Sequence, residues 1–160
     1  MTTMTDSNHH GDLKFTTNSQ AGVIIPLNGV PHHWRSNRQP RSTNSPTESV
    51  IYALSTGVKD TQLFHWVLEE MTRIDTVYPI IVQTDSTGAR SFQRDTCPST
   101  RLRGCFDFRE RWVDELREQK TFCTEIVTDQ NNMADIFTKC LGNVEFTVRR
   151  EQIRHYWKSW

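Results

Sequence analysis

Tyr78-Pro79-Ile80-Ile81-Val82-Gln83-Thr84-Asp85-Ser86 is the stretch on which the fold turns. Its apolar, β-branched run stops at a polar Thr-Asp-Ser, and Thr87-Gly88-Ala89-Arg90 then reads as the start of a helix. A continuous apolar run of this length suits a strand buried on both faces of an α/β sheet. In such sheets the groups that act on ligands stand just beyond the carboxyl ends of the strands, and Asp85 falls there. Taken alone, the segment favours a plainer reading, in which Asp85 caps the following helix because its free N–H groups attract a carboxylate.

Upstream, Ser45-Pro46-Thr47-Glu48 opens a helix by three rules at once: Ser as N-cap, Pro at the first helical position, Glu three residues after the cap. Ile51, Leu54, Val58, Phe64, Val67, Leu68 and Met71 follow at helical spacing, so a core helix is predicted to about Thr72, with a weak point at Gly57. Further upstream, Gly22 to Leu27 and Val30 to Arg35 flank Asn28-Gly29, the pair suited to the positive φ angles of a type I′ hairpin turn. Pro26 and Pro31 each remove a ladder donor, so a bulge or an outward-facing edge is expected at those points. His32 and His33 read as surface residues, and Gln39 to Asn44 as a polar connector.

Downstream, helices are expected over about 87–93 and 106–119, with a loop around Asp95-Thr96-Cys97-Pro98-Ser99 between them. Thr121 to Val127 reads as a strand, Asn131 to Lys139 as the beginning of a helix, and Val144 to Trp157 as a helical tail. Strands come first and then alternate with helices, which fits a mixed α/β sheet.

The chain has 160 residues, enough for one domain with a real core. Its 19 Lys+Arg balance 19 Asp+Glu, so bulk charge does not make it a nucleic-acid glue. Basic residues do cluster, Arg35, Arg38 and Arg41 in one span and Arg149, Arg150 and Arg154 in another; solvated faces are the ordinary reading of such groups. The four cysteines, Cys97, Cys105, Cys123 and Cys140, form no CxxC pair and read as reduced thiols of an intracellular protein. No secretory leader and no apolar run long enough to cross a membrane is evident.

Asp6, Asp85 and Asp135 stand out by position, in the first extended segment, at a strand end and at a helix start. Here the chain resembles the ribonuclease H domain of copia-type LTR retrotransposons, over about Thr5 to Leu141. Met4-Thr5-Asp6-Ser7-Asn8 with Gly11-Asp12 is similar to the opening motif of that family. Ser19 to Val23, Asn28-Gly29 and Trp34-Arg35-Ser36 through Arg38-Gln39 look like its hairpin. Ser45 to Glu48 with Ala53-Leu54-Ser55 falls where the family starts its Thr-Glu-Ala-Glu helix. Thr84-Asp85-Ser86 and Asn132-Met133-Ala134-Asp135-Ile136-Phe137-Thr138-Lys139 match the strand and the closing motif that carry its other catalytic Asp residues.

The resemblance implies a ribonuclease H-like mixed sheet: an antiparallel N-terminal hairpin, then alternating helices and parallel strands, with helices packed on it. The domain is expected over 1–141, with 142–160 as its C-terminal helical tail. It further implies Asp6, Asp85 and Asp135 as catalytic and metal-binding residues, with Mg²⁺ (or Mn²⁺) as cofactor. In that chemistry two ions about 4 Å apart activate a water and stabilise the leaving oxygen of a phosphodiester, and clustered carboxylates suit magnesium. The implied substrate is an RNA–DNA hybrid, read through shape, phosphates and 2′-hydroxyls; Arg35 and Arg38 are the candidate nucleic-acid contacts.

The departures matter equally. The metal-binding Glu of the family is the second Glu of Thr-Glu-Ala-Glu, and Val50 stands there. Glu48 is two residues away, about 200° around a helix, and already has a capping role. The His that many members carry before the penultimate helix is not evident, with Gly104 or Cys105 near its place. Met1 lies five residues before Asp6, so a clipped first strand with no polymerase domain before it is expected. These features imply impaired or absent hydrolysis. The expectations are a weakened magnesium-dependent endoribonuclease, paired or not with a reverse transcriptase subunit; an inactive ribonuclease H-like module that binds nucleic acid or protein; or a decayed retroelement remnant.

Overall fold

The computed structural model describes residues 1–10, 17–74, 79–88, 112, 113, 115, 116 and 118–158. Within them the strands are β1 (Thr2–Asn8), β2 (Gln20–Leu27), β3 (Val30–Arg38), β4 (Ile80–Thr84) and β5 (Phe122–Ile126). The helices are α1 (Pro46–Thr72) and α2 (Asn143–Lys158), and 3-10 turns cover Asp129–Asn131 and Met133–Phe137. The strands form one sheet in the order β3-β2-β1-β4-β5. β1-β2 and β2-β3 are antiparallel, whereas β1-β4 and β4-β5 are parallel, so this is the expected mixed sheet.

Local chemistry explains the elements. Asn28 and Gly29 take φ of 50° and 78°, closing the hairpin as predicted. Its register shifts between Ile25 and Pro26, where the proline cannot donate to the ladder. At the head of α1 the Ser45 hydroxyl accepts from the Glu48 amide at 3.1 Å, and Glu48 Oε2 accepts from the Asn44 amide at 2.7 Å. Glu48 is thus occupied as a cap. β1 has seven residues and is paired on both sides, antiparallel to β2 and parallel to β4.

Two faces follow from the period-2 alternation. Ile80 and Val82 face α1, packing with Val50, Ile51, Leu54, Val58, Val113, Leu116 and Phe122. Met4 and Ile24 pack on the other face against Met133 and Ala134. β4 is not fully buried on both faces, because Ile81 and Gln83 are only half-buried, and Gln83 reaches sideways to Glu125 at 3.1 Å.

The predicted apolar stripe of α1 holds only in its first half. Thr61 and His65 continue the buried side, while Val67 and Met71 are 45% and 76% exposed. Thr61 reaches Thr3 on β1 through its hydroxyl, so polar side chains hold this end of the helix to the sheet. α1 nevertheless ends at Thr72, as the sequence predicts. The helix expected at Asn131 to Lys139 is instead the short 3-10 turn. The tail is helical, and β5 lies within the predicted 121–127. The helices expected over 87–93 and 106–119, the loop with Cys97, and the Gly104/Cys105 position lie wholly or largely outside the described residues; the covered parts, Thr87, Gly88 and five positions from Trp112 to Glu118, are helical. Cys123 and Cys140 are free thiols. No described helix is long and apolar enough to cross a membrane.

Candidate metal centre

The site begins with strand register. Thr2, Thr3 and Met4 pair in parallel with Ile81, Val82 and Gln83, so continuing the ladder brings Asp6 opposite Asp85. Both belong to the carboxyl ends of central strands, one strand spacing of about 4.8 Å apart. Asp85 follows β4 directly, and it joins this cluster instead of serving only as a helix cap.

Asp135 arrives by a different route. Asn132, fully buried, accepts the Ala134 amide at 3.2 Å and donates to the Thr5 carbonyl at 3.1 Å, which pins the 3-10 turn to β1. Gly22, the strand partner of Asp6, makes room for that turn. A Cβ there would lie 2.7 Å from the Ala134 carbonyl oxygen and 2.8 Å from the Thr138 methyl. Ser36, across the hairpin, donates to the Phe137 carbonyl at 2.6 Å. The turn is therefore clamped from β1, β2 and β3 together.

The result is a cluster in which Asp6, Asp85 and Asp135 each offer a carboxylate oxygen, all within 4.8 Å of one another. Such hard oxygen donors at this separation fit a divalent cation of the magnesium or manganese type. Asp6 is 6% exposed and Asp135 1% exposed. Burial, reinforced by the charges of Asp135 and Asp85, pushes the Asp6 carboxyl up to about 6, against the opposing Thr138 hydroxyl bond and the Lys139 charge. Asp85 is also raised, by burial first and then by the charge of Asp135.

Two side-chain cations, neither given a role at the site by the sequence reading, complete the cluster. Lys139 Nζ stands 2.9 Å from Asp135 Oδ1 and 3.9 Å from Asp6 Oδ2. Burial works to lower the ammonium, but the Asp135 hydrogen bond and the surrounding carboxylate charges outweigh it and hold Lys139 above its ordinary range. Arg149 of α2, 4% exposed, pairs with Asp135 Oδ2 at 2.8 Å and donates to the Gln130 carbonyl. Arg149 is thus no solvated residue, unlike Arg150 and Arg154, which are exposed and pair with Glu151. Lys139 carried a local signal, four residues after Asp135 on one face of a helical turn. Arg149 carried none, because nothing within a turn of it marks its partner.

Val50, at the place of the fourth carboxylate, is 9% exposed and lies in the apolar cluster under α1. The two candidate nucleic-acid contacts fall on opposite faces. Arg35 Nε pairs with Asp60 of α1 at 3.2 Å. Arg38 shares the alternation of Ser36 and pairs in register with Gln20, itself opposite Asn8, so it lies on the Asp6 face.

The fold has counterparts among solved structures. LC11-RNase H1 in complex with an RNA/DNA hybrid matches with a TM-score of 0.60 and 14% identity, over 86% of this chain and 92% of that one. LC11-RNase H1 isolated from compost by a metagenomic approach matches at 0.61 and 14%, over 86% and 91%. The N-terminal RNase H domain of Rv2228c from Mycobacterium tuberculosis matches at 0.59 and 13%, over 94% and 96%. The fold is ribonuclease H-like. No family model matches the sequence. On this sheet Asp6, Asp85 and Asp135 form an acidic end, with Lys139 and Arg149 paired to it.

Proposed function

We propose that this chain is a ribonuclease H domain of copia-type retrotransposon descent, directed at the RNA of RNA–DNA hybrids, with hydrolysis strongly reduced by the apolar residue at position 50. One observation carries the reading: three Asp residues from remote parts of the chain converge within 4.8 Å at the ends of the central strands. Asp6, Asp85 and Asp135 would hold the divalent ion, which when bound supplies charge for polarising a phosphoryl oxygen and lowering the pKa of a water. Arg38, exposed on the same face as Asp6, is the proposed phosphate contact. Arg35, engaged by Asp60, is left to structure. A reverse transcriptase subunit as partner is the corresponding proposal for how hybrid would be delivered.

A second reading, an inactive ribonuclease H-like module that binds hybrid without cutting it, is favoured by the apolar burial of Val50 and by the ion pairs that occupy Asp135. Hybrid cleavage in Mg²⁺ or Mn²⁺ separates the two. The first reading expects slow cleavage that Asp85→Asn abolishes and Val50→Glu increases. Cleavage absent from both the unaltered chain and Val50→Glu, with hybrid binding retained, selects the second.

A further inference from the structure

The acidic cluster carries cations of its own. Lys139 Nζ lies 2.9 Å from Asp135 Oδ1, 3.5 Å from Asp129 Oδ1 and 3.9 Å from Asp6 Oδ2. Arg149 holds the other oxygen of Asp135 at 2.8 Å and approaches Asp129 Oδ2 at 3.7 Å. Both oxygens of Asp135 are therefore engaged by protein. Asp85 makes no ion pair among the described residues, so it is the open edge of the cluster.

We infer that Lys139 is a displaceable resident cation occupying one of the ion positions, so that the cluster takes a single divalent ion and takes it by moving Lys139 aside, while Arg149 stays in place. The inference rests on reading the cluster as a metal site, and deepens that reading. A magnesium ion binds carboxylate oxygens at about 2.0–2.1 Å. An ion shared by Asp6 and Asp135 would sit beside the ammonium that contacts the same two groups, and two like charges do not share that space. The two basic residues differ in their freedom to leave. The Lys139 side chain is 35% exposed, a compact and strongly hydrated charge on a flexible stem that can swing to water. The Arg149 side chain is 5% exposed, fixed in a planar fork between Asp135 and the Gln130 carbonyl, and has no such exit. Once Lys139 leaves, Asp135 offers Oδ1 alone, because Arg149 keeps Oδ2. With one oxygen of Asp135 withheld and Val50 apolar, the described residues offer no carboxylate set for a second ion.

The test is Mn²⁺ binding by calorimetry to the full chain, to Lys139→Met and to Asp85→Asn, with the Lys139 side-chain signals of the unaltered chain followed by NMR during a Mg²⁺ titration. The expected result is one ion per chain, binding at least ten-fold tighter in Lys139→Met, and Lys139 signals that move in step with saturation. Equal affinities within two-fold, two ions in the unaltered chain, or Lys139 signals unmoved at saturation would overturn the inference and leave the metal-site reading standing. Absence of Mn²⁺ binding in both the unaltered chain and Lys139→Met, or binding that survives Asp85→Asn, would instead remove the metal-site reading and the inference with it. Should Lys139→Met fail to fold, Lys139→Gln and the titration of the unaltered chain decide the same question.

Discussion

At position 50 a methyl-bearing side chain stands where the resemblance expects a carboxylate, and the surroundings have settled around it. Val50 packs with Ile51, Leu54, Val58, Ile80 and Val82. A glutamate there would be a poorly solvated charge, so in metal-free buffer Val50→Glu should lose about 1–3 kcal/mol of stability. If the new carboxylate reaches the ion, Mn²⁺ should return part of that loss. Thermal unfolding with and without Mn²⁺ reads this out, and a penalty unchanged by metal would mean that position 50 does not face the ion. Asp6 gives a pH signature of opposite origin. Its carboxyl is raised from 3.8 to about 6 by burial among like charges, so the folded state binds the proton more tightly than the unfolded state. The unfolded chain then holds fewer protons between these values, and stability must fall as pH rises through the window. A shift of this size corresponds to roughly 3 kcal/mol, fully present below pH 4 and lost above pH 6. Asp85, raised for the same reason, adds to the fall. Metal-free Asp6→Asn should therefore be more stable than the unaltered chain at pH 7.5 and lose that advantage by pH 4. Urea titrations at the two pH values check it; an advantage equal at both would assign the effect to packing instead of charge.

Among the elements, those governed by local chemistry were legible and those governed by remote contacts were not. The cap at Ser45, the Asn28-Gly29 turn and β4 are each specified by neighbours in sequence, and each stands where the residues put it. The lower half of α1 is different. Phe64, Val67, Leu68 and Met71 have helical spacing, but Thr61 and His65 take the buried side, and Val67 and Met71 are exposed. The turn carrying Asp135 also misled, because Asn132 commits its side chain to the Thr5 carbonyl and ends any longer helix before it begins. Gly57, which looked like a weak point, packs directly against Thr5 of β1. A Cβ there would collide with the Thr5 Cγ2 methyl. Helix propensity alone credits Gly→Ala with about 1 kcal/mol, yet overpacking a buried contact costs about 1–3 kcal/mol. The clash should win, because Thr5 is fixed in a central strand beside Asp6. Gly57→Ala is expected to destabilise, and Thr5→Ser, which deletes that methyl, should rescue it in a double-mutant cycle. Additive effects in the cycle would mean that the helix relaxes without touching β1.

Across the whole molecule the site is a readout of the fold. Asp6, Asp85 and Asp135 come from the first strand, a central strand and a late turn, and Arg149 comes from the last helix. The three Asp positions were legible because each stands in a recognisable local motif; that they share one centre follows from the parallel register of β1 and β4 and from the clamp on the 3-10 turn. The cations escaped notice because an acidic cluster is read from its acids, whereas its net charge depends on which basic side chains the tertiary structure delivers. A centre assembled only by folding has a thermodynamic consequence. In the unfolded chain the carboxylates are far apart and cannot share an ion, so a divalent cation held by the proposed centre would bind the native state alone and would stabilise it. At an ion concentration one hundred times Kd the gain is about 2.7 kcal/mol. Titrating Mn²⁺ while following the melting temperature should give a steady rise in the unaltered chain and a flat response in Asp85→Asn. Lys139→Met should begin from a lower melting temperature, since it strips a counter-ion from Asp135, yet rise more steeply because no ammonium opposes the ion. Parallel curves for the unaltered chain and Lys139→Met would show that the ammonium and the metal do not compete, and that Lys139 serves the fold alone.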